Sequence, residues 1–271
     1  MKRLASILIV HLCFLLSVTA QKDTSFRLHH IVKIAAADLA ADNLDNLYVL
    51  TTTGQLRKFN ASGDSVGVYN DVKRFGRVYS LDVSNPLRLV LFYKDYSTVV
   101  LLDRYLSSTT SLDLRRSGMS QVSAAANSYD NNIWVFDAVE NKLKKVDESG
   151  RVLMQTSDLR QVLGFSFNPE KIIDEDKQVY LFDSHYGVIA FDYYGTLQKK
   201  YPLTNWTYFQ VFGKRLLGIT NNTITLFNTS TQMEKQYQFP SSFGSFNRYL
   251  IGNTKLFAVS KDAITVYYTG F

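Results

Sequence analysis

Cysteine is nearly absent: the 271 residues hold one, Cys13, together with four prolines, four histidines and 14 glycines. A single thiol excludes an internal disulfide framework, so stability has to come from burial and hydrogen bonding. Beyond residue 20 no apolar run approaches the roughly 20 residues that a spanning helix needs. There is no Gly-rich phosphate loop, no metal-spaced set of Cys and His, and no G-x-S-x-G elbow. What the chain has in quantity is apolar and aromatic. With 17 Tyr and 18 Phe in a 46% apolar, 20% charged sequence, it can bury a core, which excludes disorder and a fibrous repeat.

The N-terminus reads as a targeting segment. Lys2 and Arg3 precede an apolar run that reaches Val18, broken only by Ser6, His11 and Ser17. Val18 and Ala20 then place small residues at the −3 and −1 positions of a cleavage site, so residues 1–20 are expected to be a secretory signal peptide. The run is shorter than the roughly 20 residues of a membrane anchor. Leu12 before Cys13 lacks the small residue that lipid attachment requires. Cleavage removes Cys13, Lys2 and Arg3, and the formal charge falls from +6 to +4. The expected layout is a signal peptide over 1–20 and one domain over 21–271, exported to the periplasm or cell envelope.

A repeat organises that domain. Its unit is a short apolar strand, a polar turn, and a second strand ending near Asp or Asn. The copies cover 47–60, 89–103, 133–147, 179–192, 216–228 and 256–267, with starts spaced by 37 to 46 residues. That period is close to one four-stranded propeller blade. Three copies continue into a matched turn, N-A-S-G at 60–63, D-E-S-G at 147–150 and D-Y-Y-G at 192–195. The Asx side chain bonds the backbone ahead of it and the Gly accepts a positive φ, which makes this turn chemistry rather than a ring of metal ligands.

The Ala-rich stretches 35–41 and 123–127 would be helical in isolation. Their fixed place before a hairpin predicts inner strands, where small side chains suit the crowding around the axis. Six hairpins give six blades. The sixth lacks an outer strand after residue 267, and 25–32 has no partner in its own blade, so pairing the two closes the ring. The expected fold is all-β, a six-bladed β-propeller of four-stranded antiparallel blades. On this period and its D/N-x-x-G turns, the chain over 25–271 resembles the secreted six-bladed propellers of the NHL-like and TolB-like kind. The resemblance implies a range of functions: binding modules, scaffolds, lactonases and lyases.

Catalytic signals are sparse. His29 and His30 are consecutive in a predicted strand, which sends them to opposite faces and excludes joint metal ligation. His185 sits beside Ser184 in the turn D-S-H-Y-G at 183–187, but no third orienting group is identifiable along the chain. N-x-S/T patterns at Asn60, Asn205, Asn221 and Asn228 are short and carry no functional weight.

Charge placement says more. In a propeller, the connections between blades and the turns between the two middle strands share one face. The connections hold Lys73, Arg74, Arg77, Arg115, Arg116 and Arg160, and the segment 158–163 reads as a one-turn helix over that face. His185, Tyr186 and Trp206 add a titratable and two aromatic groups. The other face collects Asp42, Asp45, Asp130, Asp147 and Asp174. These nine basic and aromatic residues form the candidate ligand-binding set of a polarised disc that can steer an anionic partner. Export and the small net charge argue against nucleic acid. The expected function is a non-catalytic binding or scaffold module, a monomer without cofactor or assigned metal, whose partner is another envelope or secreted protein or an anionic ligand. The alternative is a metal-dependent lactonase- or lyase-like enzyme with its site at the channel mouth.

Overall fold

The computed structural model describes residues 26–240, 243 and 246–269. The expected signal peptide lies outside the described residues. Six antiparallel four-stranded sheets surround one axis. From the inner to the outer strand, blade 1 is β2 (Ala36–Ala41), β3 (Leu47–Thr51), β4 (Leu56–Phe59) and β5 (Ser65–Tyr69). Blade 2 is β6 (Ser80–Asp82), β7 (Arg88–Tyr93), β8 (Thr98–Asp103) and β9 (Ser108–Asp113). Blade 3 is β10 (Val122–Asn127), β11 (Ile133–Asp137), β12 (Lys142–Val146) and β13 (Val152–Gln155). Blade 4 is β14 (Lys171–Glu175), β15 (Gln178–Asp183), β16 (Gly187–Phe191) and β17 (Leu197–Tyr201). Blade 5 is β18 (Tyr208–Phe212), β19 (Arg215–Thr220), β20 (Thr223–Asn228) and β21 (Glu234–Gln238). Blade 6 is β22 (Arg248–Ile251), β23 (Lys255–Val259), β24 (Ile264–Thr269) and, from the other end of the chain, β1 (Phe26–Val32).

The middle strands are covered on both faces, which is why they read as continuous apolar runs instead of alternating ones. Every residue of β3, β11, β15 after its first, β16 and β23 is buried, whereas all of β21 is exposed. Buried side chains gather between blades. Val90, Phe92, Val122 and Val135 join blades 2 and 3, for example, and Tyr48, Leu56, Leu91 and Val100 join blades 1 and 2. The two Ala-rich stretches are inner strands β2 and β10, so tertiary packing overrides their helical propensity.

The repeated turns work as their residues predict. One side-chain oxygen accepts from the amides two and four residues ahead: Asn60 from Ser62 (3.0 Å) and Asp64 (2.8 Å), Asp192 from Tyr194 and Thr196 (both 2.9 Å). Gly63, Gly150 and Gly195 have φ of 95°, 87° and 82°. Blade 2 makes the same turn at Asp103, but its fourth residue is Leu106 at φ 67°, which hides the motif from a search for Gly.

The ring closes where expected. β1 runs antiparallel to β24 from Phe26 opposite Thr269 to Val32 opposite Ile264. One local expectation is corrected here. The register shifts between Leu28 and His30, and this bulge brings the His29 and His30 rings edge to face at 4.5 Å instead of sending them to opposite faces. His29 also stacks on Tyr268. Burial, then the neighbouring His29 and Lys255, hold the His30 pKa below its usual value, against the opposing pull of Asp64. A histidine kept neutral by the fold costs stability once the unfolded chain can be protonated. Stability from His30 is therefore complete above about pH 6.5 and declines as pH falls through that value. We expect amide exchange in β1 to accelerate between pH 7.5 and 5, and His30→Gln to flatten that dependence; an unchanged profile would remove His30 as its cause.

Candidate functional site

Inner strands leave one edge unpaired toward the axis, and those backbone groups need partners. The six inner strands enclose a channel of about 810 Å³. Side chains bridge five of its six inner-strand junctions and bond some of these groups. Arg248 of β22 donates Nη2 to the Ala37 carbonyl (2.7 Å) and Nη1 to Asp38 (2.5 Å) in β2. The Asn127 amide of β10 donates to Asp82 in β6 (2.7 Å). Asp174 of β14 accepts from Tyr129 N (3.0 Å) and Trp134 Nε1 (2.8 Å) of blade 3. Lys171 of β14 donates Nζ to the Phe209 carbonyl of β18 (2.9 Å), and burial holds its pKa below the usual lysine value although Asp38 and Asp82 oppose this. Tyr208 of β18 reaches the Ile251 carbonyl of β22 at 3.5 Å.

The junction between β2 and β6 has no such bond among the described residues. Its inner strand β6 is only three residues long. A notch of about 300 Å³ opens there, lined by Asp38, Thr51, Gly54, Arg77, Tyr79 and Arg248 among others. Asp38, Tyr79 and Arg248 line the main channel as well, so the notch is continuous with it. β2 bulges at this point, its register shifting between Ala36 and Asp38.

The sequence-derived set divides. Lys73, Arg74 and Arg77 are exposed, on or just after the helix α1 (Val72–Phe75), and Arg74 lies over the Phe75 ring at 4.6 Å. Arg115 is held by Asp113 at 3.1 Å, whereas Arg116 is 89% exposed and 3.9 Å from that carboxylate. Arg160, in the expected one-turn helix α2 (Leu159–Leu163), is bonded to its cap Asp158 at 2.8 Å. Tyr186 is half-exposed and stacks on Phe165 at 4.3 Å. Trp206 differs from the expectation of an exposed aromatic: it is 6% exposed and packs between blades 4 and 5, so its ring faces the core.

Gly218 in β19 makes room for that ring. A Cβ built on Gly218 would overlap Trp206. Gly218→Ala should therefore destabilise the protein by about 3 kcal/mol, as overpacking does, and Trp206→Leu in the same chain should return much of it. Denaturant midpoints of the two variants check this.

On the opposite face, most carboxylates are consumed by the fold. Asp42 accepts from the amides of Leu44 and Asn46 (both 2.9 Å) and from the Tyr48 hydroxyl (3.0 Å). Asp45 is bonded to Asn253 and Thr254, and Asp130 to Lys145 at 2.9 Å.

One cluster escaped sequence reading. Glu170, just before β14, reaches the β15–β16 turn, where its Oε1 accepts from Ser184 Oγ at 2.5 Å. Ligand-capable atoms of Glu170, Asp183 and His185 lie within 4.8 Å of one another. Asp183 is buried, and its Oδ1 accepts from the His185 (2.8 Å) and Tyr186 (3.2 Å) amides; His185 is 85% exposed. Glu170 is thus the third group that the sequence left unidentified for Ser184 and His185. A 14-residue separation bridged by a strand pair carries no local signal.

No protein-family model and no curated protein sequence matches the chain. Solved structures do. Virginiamycin B lyase from Staphylococcus aureus superposes with a TM-score of 0.60 at 10% identity, covering 90% of this chain and 99% of that one. A catalytically inactive variant of that lyase with quinupristin gives 0.57 at 10% identity, covering 88% and 99%. The Pan2 WD40 domain of Neurospora crassa gives 0.55 at 12% identity, covering 91% and 96%. At such identities a likeness speaks for the fold and not for the chemistry, and what these neighbours share with this chain is the β-propeller.

Proposed function

We propose that the protein is an exported, non-catalytic binding module of the NHL-like or TolB-like kind, whose partner meets the blade-connecting face around the channel mouth. One observation carries this reading: the blade-connecting face presents exposed basic groups without a close carboxylate. Among the described residues Lys73 and Arg77 have no ion pair and Arg116 only a loose one, while Asp42, Asp45 and Asp130 opposite are tied into their own turns and neighbours. A free basic rim accelerates encounter with an anionic partner and is weakened by salt. The partner is another secreted or envelope protein or an anionic ligand. The test is capture from envelope and culture fractions by the tagged mature protein, compared with Lys73→Glu/Arg116→Glu. A specific partner retained by the wild type and lost by the double variant supports the reading. Equal retention by both overturns it.

A second reading, a metal-dependent lactonase- or lyase-like enzyme, is favoured by a difference between two blades. At the end of β11, buried Asp137 is neutralised by Lys144 Nζ at 2.8 Å. At the matching end of β15, buried Asp183 has, among the described residues, only His185 within ion-pair distance, and Glu170 adds a second carboxylate. Two carboxylates and an imidazole form a donor set for a divalent ion. Elemental analysis of the purified protein decides: a stoichiometric ion lost in His185→Ala supports this reading, and its absence after incubation with Zn²⁺, Mn²⁺ or Ca²⁺ removes it.

A further inference from the structure

The notch between blades 1 and 2 deepens the binding-module reading and rests on it. We infer that this notch takes an oxyanion, a carboxylate or phosphate, borne by a small organic ligand whose remainder lies in the channel. The ring is asymmetric: a polar side chain bridges each of the other inner-strand junctions, whereas among the described residues none bridges β2 and β6, and an opening of about 300 Å³ lies beside them between β2, the β3–β4 turn and the segment 77–79 that leads into β6.

The walls of the notch are preorganised and basic. Arg248 is already oriented, with Nη1 on Asp38 and Nη2 on the Ala37 carbonyl, so its guanidinium plane is set before a ligand arrives. Arg77 lines the same opening, is exposed and among the described residues has no ion pair. Tyr79 lines it as well, and Lys94 Nζ lies 3.3 Å from its hydroxyl and 4.4 Å from its ring centre. Two guanidiniums against the single carboxylate of Asp38 in the lining leave a local positive excess. Planar N–H forks and a phenol match the geometry of a carboxylate or phosphate.

The notch shares Asp38, Tyr79 and Arg248 with a channel of about 810 Å³, which falls in the range of small-molecule sites. An anion seated between Arg77 and Arg248 therefore leaves the body of its ligand beside Lys171 and Tyr208.

The test is an NMR titration of the mature protein with inorganic phosphate and with glutarate, and with glutaramide as the neutral counterpart. Saturable shifts centred on Gly54, Arg77, Tyr79 and Arg248 are expected for one or both anions, and which anion binds assigns the oxyanion. Arg77→Gln, an exposed change that should leave the melting curve in place, is expected to weaken binding by about tenfold or more, the usual scale for a charge-assisted hydrogen bond. Lys235→Gln on exposed β21 should leave it unchanged. The inference is overturned if neither anion saturates by about 20 mM, if glutaramide binds as well, or if Arg77→Gln has no effect. Loss of partner capture in Lys73→Glu/Arg116→Glu is read separately, so the notch and the basic rim fail or stand independently.

Discussion

Deleting residues 26–32 should abolish cooperative folding of the ring. β1 is the outer strand of blade 6, and its six paired positions cover the edge of β24 that β23 leaves open. Without them the blade has three strands, the edge is open to pairing with other chains, and the last blade loses its covalent link to the first. His30 also packs against Gly63 of blade 1, so the deletion removes packing across the blade boundary as well. The expected loss is comparable to the whole stability of a domain, about 5–15 kcal/mol. It should appear as aggregation and a broad, non-cooperative melt. A rearranged chain separates the effect of strand pairing from that of chain order. Phe26 lies opposite Thr269, so a short turn can attach the 26–32 sequence after the C-terminus of a chain that starts at residue 33. That protein should fold with a melting temperature near the parent's. A deletion variant that melts cooperatively within a few degrees of the parent would refute closure as the source of stability.

Lys144→Met should cost about 3–5 kcal/mol, the usual result of stranding one member of a buried ion pair. Lys144 and Asp137 are 5% and 2% exposed at the side chain and 2.8 Å apart under the β11–β12 turn of blade 3. Asp137 also organises that turn, accepting from the amides of Val139 (3.0 Å) and Glu140 (3.1 Å) through Oδ1. Methionine fills most of the lysine volume, so the cost comes from the carboxylate left without its cation and not from a cavity. Adding Asp137→Asn removes the buried charge and keeps an oxygen for the turn. The double variant should recover at least half of the loss in urea denaturation. Should the single variant lie within about 1 kcal/mol of wild type, solvent or Glu140 chemistry rather than the pair governs this turn.

Much of the fold was readable because its signals are local. A continuous apolar run marks a strand covered on both faces, and an Asx followed by Gly marks a turn, wherever they occur. Blade 3 shows both, with the IWVFD strand β11 and Gly150 at φ 87°. Leu106 shows the limit, since its left-handed backbone is imposed by the turn and not announced by the residue. Trp206 shows another: an aromatic in a connection reads as exposed until Gly218, on a strand of the next blade, supplies the space beneath it.

The sequence by itself determined that there are six blades, which hairpins form their middle strands, and that the segment at 25–32 closes the last blade. Each follows from periodicity and from an unpaired strand at either end. Only the tertiary structure decided which charges remain free for function. Asp113 and Asp158 hold Arg115 and Arg160, Arg77 is left unpaired beside a notch, and Glu170 joins Ser184 and His185. Those outcomes depend on angstrom-scale distances between side chains on different strands and blades, and Coulomb and hydrogen-bond energies fall off over just that scale.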